Sequence, residues 1–330
     1  MKNSIFTILL PALIGSASLT IAQDSAPAKT GQGDGVYQTV PNWPTYPEGK
    51  KLGNLHGDMA ADSKGNLYVA TGDTIQVFGP DGTYAKDLGP ETRGVHGMKV
   101  RKQDGEEFLF IAQNGLKLVS KLKLDGTAVW RIKGHPAVDG MYPNPGKYNP
   151  TDVDVAPDGT IYIADGYGMS LMHIYDKDQK YVKTFGGAGK ADNQFNVCHN
   201  VLVDTRSDKP SLLISDRQNN RLMHYDMEGN YIATIASDLR QPCAADIFNG
   251  RLAVGELGGR VTIFDKDNKL VSRLGDEPAN RPKGGNGVPP EKWIEGAFVS
   301  IHGLTFDPKG DLYAMEYSKF GRVSKFTPVK

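Results

Sequence analysis

Cysteine is scarce: Cys198 and Cys243 are the only two in 330 residues. That excludes a small loop-rich scaffold stapled by disulfides, so the chain must stand on a packed core. One bridge between the two is the most the composition permits, and sequence does not decide whether their geometry allows it. An excess of either charge is missing too, because 38 basic residues cancel 38 acidic ones. This leaves no electrostatic reason to expect nucleic acid or an anionic membrane as partner.

Long apolar runs are few. Residues 5–14 form one, but it falls short of the roughly 20 residues a spanning helix needs, and Pro11 interrupts it. With Lys2 ahead of it and Thr20-Ile21-Ala22 behind, it reads as an export signal over residues 1–22. The absence of a nearby cysteine argues against a lipidated N-terminus. Residues 23–35 are small and polar and are expected to form a flexible leader. The rest, 36–330, is expected to be secreted or periplasmic.

Turn chemistry, by contrast, is abundant, with 39 Gly and 20 Pro. It punctuates a repeat of roughly forty residues. The clearest unit runs Thr151-Asp152-Val153-Asp154-Val155, turns at Pro157-Asp158-Gly159, and continues Ile161-Tyr162-Ile163-Ala164-Asp165. Apolar alternation bounded by Asp-Gly turns reads as half-buried antiparallel strands. The same grammar recurs around Leu67-Tyr68-Val69-Ala70, Phe108-Leu109-Phe110-Ile111-Ala112, Leu212-Leu213-Ile214-Ser215-Asp216, Leu252-Ala253-Val254-Gly255-Glu256 and Leu312-Tyr313-Ala314-Met315-Glu316. Six such units predict an all-β fold, a six-bladed β-propeller. Residues 36–40 are the candidate for completing the last blade. The insertions at 134–147 and 276–297 are expected to cover one end of the ring and form a substrate rim.

His96, His199 and His302 stand at equal intervals, each opening a similar phrase: His96-Gly97-Met98, His199-Asn200-Val201 and His302-Gly303-Leu304. Aligning the units puts His56, His96, Thr151, His199, Cys243 and His302 at one matched position on the strand that lines a propeller's channel. Imidazoles from alternate blades then converge with near three-fold symmetry. Three His ligands with an open fourth position form a recognised catalytic zinc pattern, so His96, His199 and His302 are the candidate metal ligands. His56 shares the register as an additional candidate: another ligand, a supporting hydrogen-bond donor or a general base. The competing reading is a polar channel lining that bonds water and backbone. His135, His173 and His224 fall outside the register and are expected on the surface or in strands. A second ring follows at the ends of the second strands: Thr71, Gln113, Asp165, Asp216, Glu256 and Glu316. Asp165 and Asp216 are expected to fix turns. Tyr167 and Arg217 lie beside this ring without any turn requirement to explain them.

The six units resemble NHL repeats, and the axial residues resemble those of peptidyl-α-hydroxyglycine α-amidating lyase (peptidylamidoglycolate lyase). The resemblance spans the whole propeller. It rests on the three His phrases, on Asp165-Gly166-Tyr167, and on Ser215-Asp216-Arg217. It implies a zinc ion on His96, His199 and His302, with Tyr167 and Arg217 as catalytic residues. Thr71 stands where that family carries another active-site Arg, and Gly303 where it carries an Asp used for a structural calcium. Gly168 replaces a cysteine. The implied reaction cleaves the C–N bond of a carbinolamide to an amide and glyoxylate. Tyr167 would act as base, its phenol lowered from about 10 by zinc and Arg217, and Arg217 would hold the carboxylate.

The implied partner is a small-molecule or peptide substrate; the oligomeric state is left open. Two other functions stay in play. One is a non-catalytic propeller binding a protein, peptide or glycan, since fold does not determine function. The other is a metal-dependent, lactonase-like hydrolase using carboxylates such as Glu256 and Glu316.

Overall fold

The structure is a computed structural model describing residues 27–276, 283 and 285–329. The expected export signal lies outside the described residues. Six antiparallel sheets make six blades. Blade 1 spans 59–87, blade 2 97–133, blade 3 152–186, blade 4 198–236, blade 5 242–274 and blade 6 301–328. The first strand of each blade lines the axis, and the fourth lies outermost.

Burial explains why these residues form these strands. The second strands Leu67–Ala70, Ile161–Asp165 and Leu312–Glu316 are buried at every position, because neighbouring blades cover both faces. Apolar side chains from adjacent blades form six clusters, one at each seam. The outermost strand Tyr181–Gly186 has no buried residue and carries Lys183 along its edge, which discourages pairing with other chains.

The first strands run away from the end where the His residues sit, and the second and fourth strands run back towards it. Loops leaving the second and fourth strands therefore gather at the His end. The insertions at 134–147 and 276–297 both follow fourth strands, as a rim over the axis requires. Tyr142 of the first insertion is buried and donates to Asp165 Oδ2 at 2.7 Å.

Ring closure uses the N-terminal chain. Tyr37–Thr39 pairs with Val323–Pro328 as the fourth strand of blade 6, within the segment expected from sequence. The leader expected to be flexible over 23–35 departs from that expectation in its described part. Lys29–Thr30 adds a fifth strand, Gln32 N–H donates to Ser272 Oγ, and Gly275 N–H donates to Thr30 Oγ1. Small polar residues suit this role because hydrogen bonds from the Gln32 backbone and to the Thr30 hydroxyl, not an apolar core, make these contacts with blade 5.

Candidate active site

Each candidate ligand enters at the start of a first strand. At His199 and His302 the strand register shifts, and the same shift occurs at Cys243. A β-bulge re-aims the side chain of the extra residue, here towards the axis. The glycines that follow two of the histidines allow the blades to close in. A Cβ on Gly97 would stand 2.3 Å from Asp152 Oδ1, and one on Gly303 would stand 3.0 Å from Asp58 Cα. A side chain at Gly303 would press on Met315 and on Asp58, whose carboxylate lies 3.0 Å from that Cβ position.

The rings of His96, His199 and His302 form an equilateral triangle, with every centroid pair 4.9 Å apart. All three are buried. Each Nδ1 faces a backbone carbonyl of the next blade: Thr151 O at 2.7 Å, Cys243 O at 2.8 Å and Gly57 O at 2.8 Å. A carbonyl only accepts, so each Nδ1 carries the proton and each Nε2 presents a lone pair to the axis.

Those lone pairs are mostly uncompensated. Tyr167 Oη lies 3.2 Å from His96 Nε2 and 3.1 Å from His199 Nε2, and it accepts from Arg217 Nη1 at 3.0 Å. Its single proton serves one imidazole at a time. His302 Nε2 is buried with no partner. Protons do not fill the deficit near neutrality: burial pushes His96 down to about 3 and holds His199 and His302 well below the usual imidazole range. Three neutral nitrogen donors without enough protons fit a divalent cation that takes imidazole ligands.

His56, at the same register, is exposed and joins the cluster from the open side, 5.3 Å from the His96 ring and 4.9 Å from the His302 ring. One ligand atom each from His56, His96 and His302 lies within 4.8 Å of the others, a tighter group that omits His199. The symmetric carbonyl anchors still favour His96, His199 and His302 as the core set, with Tyr167 wedged between His96 and His199.

Tyr167 and Arg217 meet as the sequence alignment expects, the guanidinium 5.2 Å from the phenol ring. Asp165 holds the turn bearing Tyr167 by accepting from Asn149 N–H and Met169 N–H. Its carboxylate also fills the space beside Gly168, where a Cβ would fall 2.0 Å from Oδ1. The expected lowering of the Tyr167 phenol counts on zinc as well as Arg217. The protein groups raise the Tyr167 phenol above its ordinary value, because burial outweighs the opposing pull of Arg217. Arg217 Nε is itself buried without a partner, a donor left unspent beside the axis.

The rest of the second ring is structural. Thr71 bonds Thr74 O, Asp216 accepts from Asn196 N–H, and Gln113 holds Glu91 O and Arg93 O. Glu256 is paired with Arg260 and Glu316 with Arg322, so neither carboxylate is offered to the axis as the lactonase-like alternative requires. His135 stacks on Tyr142, His173 sits buried in a strand, and His224 meets Asp204. Cys198 and Cys243 are both buried and unbridged.

Two features were missed in the sequence. Tyr317, at the end of the second strand of blade 6, places its ring 4.8 Å from His56. An aromatic after Glu316, by analogy with Tyr167 after Asp165, was the available signal. Beneath the triangle, Lys99 Nζ lies 3.1 Å from both Asp58 Oδ2 and Asp152 Oδ2, all three groups buried. Asp58 and Asp152 adjoin Gly57 and Thr151, whose carbonyls orient His302 and His96. This ionic plug separates the His layer from a cavity of about 240 Å³ at the opposite mouth, lined by Arg101, Asp246 and Thr305.

A family model described as a 6-bladed beta-propeller matches residues 150–257. The chain is also similar to several solved propellers. A gluconolactonase from Xanthomonas campestris is 15% identical with a TM-score of 0.59, over 93% of this chain and 96% of that one. A streptogramin B lyase is 13% identical with a TM-score of 0.58, over 84% of this chain and 95% of that one. A catalytically inactive virginiamycin B lyase from Staphylococcus aureus, with quinupristin, is 14% identical with a TM-score of 0.57, over 92% and 100%. At these identities the likeness supports the propeller fold, not a shared reaction.

Proposed function

We propose that the chain is a zinc-dependent carbon–nitrogen lyase acting on a carbinolamide of the α-hydroxyglycine type. The observation that carries this reading is the shared hydroxyl of Tyr167. It lies between two ligand-type imidazoles and takes a hydrogen bond from Arg217, while a third imidazole has no partner at all. His96, His199 and His302 would hold the zinc through Nε2. Bound there, zinc supplies Lewis acidity to an oxygen ligand.

The protein groups account for the rest. Arg217, with an unspent Nε–H, holds the substrate carboxylate and fixes the reacting carbon over the triangle. Tyr167 Oη takes the proton of the substrate hydroxyl. Tyr167 returns that proton to nitrogen as the C–N bond breaks, so that the hydroxyl carbon becomes the aldehyde of glyoxylate and the nitrogen leaves as a primary amide. The buried anchors on the three Nδ1 atoms keep the ligands in place throughout. Lyases with this fold are among the chain's structural neighbours, which is consistent with a lyase centre on the axis.

The test is incubation of the zinc-loaded protein with an N-acyl-α-hydroxyglycine. Glyoxylate and primary amide released in equal amounts, above the spontaneous rate, are expected. Metal-loaded protein giving only the spontaneous rate on free and peptide-linked substrates would refute the reading.

A further inference from the structure

We propose that His56 is a fourth, displaceable nitrogen donor of the axial site, so that the resting centre is a four-imidazole site which opens on the substrate side. The inference rests on the metal reading above and concerns a residue that reading does not use.

Three observations carry it. A ligand atom of His56 lies within 4.8 Å of ligand atoms on both His96 and His302, within the range a shared ion can draw together. The His56 ring lies beside the His96–His302 edge of the triangle, 5.3 and 4.9 Å from those rings, and is flanked by Tyr317 at 4.8 Å. Anchoring also separates His56 from the others. His96, His199 and His302 are buried and bonded through Nδ1 to backbone carbonyls, whereas exposed His56 has no such bond among the described residues.

Three ligands are therefore fixed by hydrogen bonds before metal arrives, and the fourth is held by ring contacts alone. A donor held only by the ion exchanges with an incoming oxygen ligand at little cost to the other three. Its backbone does not need to move, because the Gly57 carbonyl stays bonded to His302. The site can thus be closed to stray anions at rest and open to a substrate whose carboxylate is already engaged elsewhere.

Cobalt(II) titration, followed by visible absorption, tests this on the full-length protein, His56→Ala and His199→Ala, with thermal midpoints confirming folding. His56→Ala is expected to bind one cobalt about tenfold more weakly. Its spectrum should change, and it should respond to azide at concentrations that leave the wild type unaffected. Identical affinity, spectrum and azide response in wild type and His56→Ala, with cobalt lost in His199→Ala, would overturn the His56 role alone. No cobalt uptake by the wild type would overturn the metal reading together with it.

Discussion

At the scale of single residues, proton supply governs the site. Three imidazoles point lone pairs at one axis, and one phenol proton is at hand to satisfy them. Lone pairs buried without partners are costly, about 1–3 kcal/mol for each unsatisfied group, so the arrangement persists only if something else offsets them. A cation would do so, and the same cation would counter the upward push that burial exerts on Tyr167. Tyr167→Phe keeps the ring and removes only the oxygen. It is expected to lower kcat about a hundredfold or more while leaving metal content unchanged, measured by glyoxylate release beside elemental analysis. Metal content falling in step with activity would instead make Tyr167 a ligand-supporting residue.

At the scale of elements, the ends of strands position the chemistry. Bulges turn His199 and His302 inward, and the carboxylates of Asp165, Asp216, Glu256 and Glu316 hold the chain entering the first strands of blades 3 to 6 by its amides. The other end of the blades relies on similar locks. Asp204, at the far end of the first strand of blade 4, pairs with Arg206, which also reaches Asp265 O and Asn268 of blade 5. Burial acts to raise the Asp204 carboxyl, but hydrogen bonds from His224 and Arg206 outweigh it and hold the group below the usual range.

A depressed folded value means that this stabilisation is complete above the unfolded carboxyl value near 3.9 and fades as pH falls towards the folded one. Asp204→Asn should therefore cost about 3 kcal/mol at neutral pH, with the gap to wild type narrowing below pH 4 in denaturant titrations. A gap that stays constant with pH would contradict the assignment.

The sequence shows the repeat and the His register because both are set by local turns and by one matched position per blade. Asp158-Gly159 and its counterparts fix strand lengths, so the axial position can be counted. It does not show the bulges, which are two residues opposing one on a partner strand, nor the Lys99 plug. The plug's partners, Asp58 and Asp152, come from two other blades, and period-2 alternation alone treats a buried Lys as an outward-facing one. The ordered leader escapes notice for a similar reason: what it binds, Ser272 and Gly275, lies at the other end of the chain.

At the scale of the whole molecule, the candidate centre belongs to no single blade. Its three core imidazoles come from blades 2, 4 and 6, and their orienting carbonyls from blades 3, 5 and 1. All six blades contribute, so the site exists only in the closed ring, and closure depends on Tyr37–Thr39 joining blade 6. Below the His layer, buried Lys99 is paired with Asp58 and Asp152 across the axis. If this ring encloses a metal ion, elemental analysis of the purified protein detects it. Purified wild-type protein and His199→Ala would be dialysed against metal-free buffer and analysed together. About one zinc per chain in the wild type, lost in His199→Ala while the thermal transition shows a folded protein, is the predicted result. A wild type that holds no zinc and takes up none on titration would contradict the account.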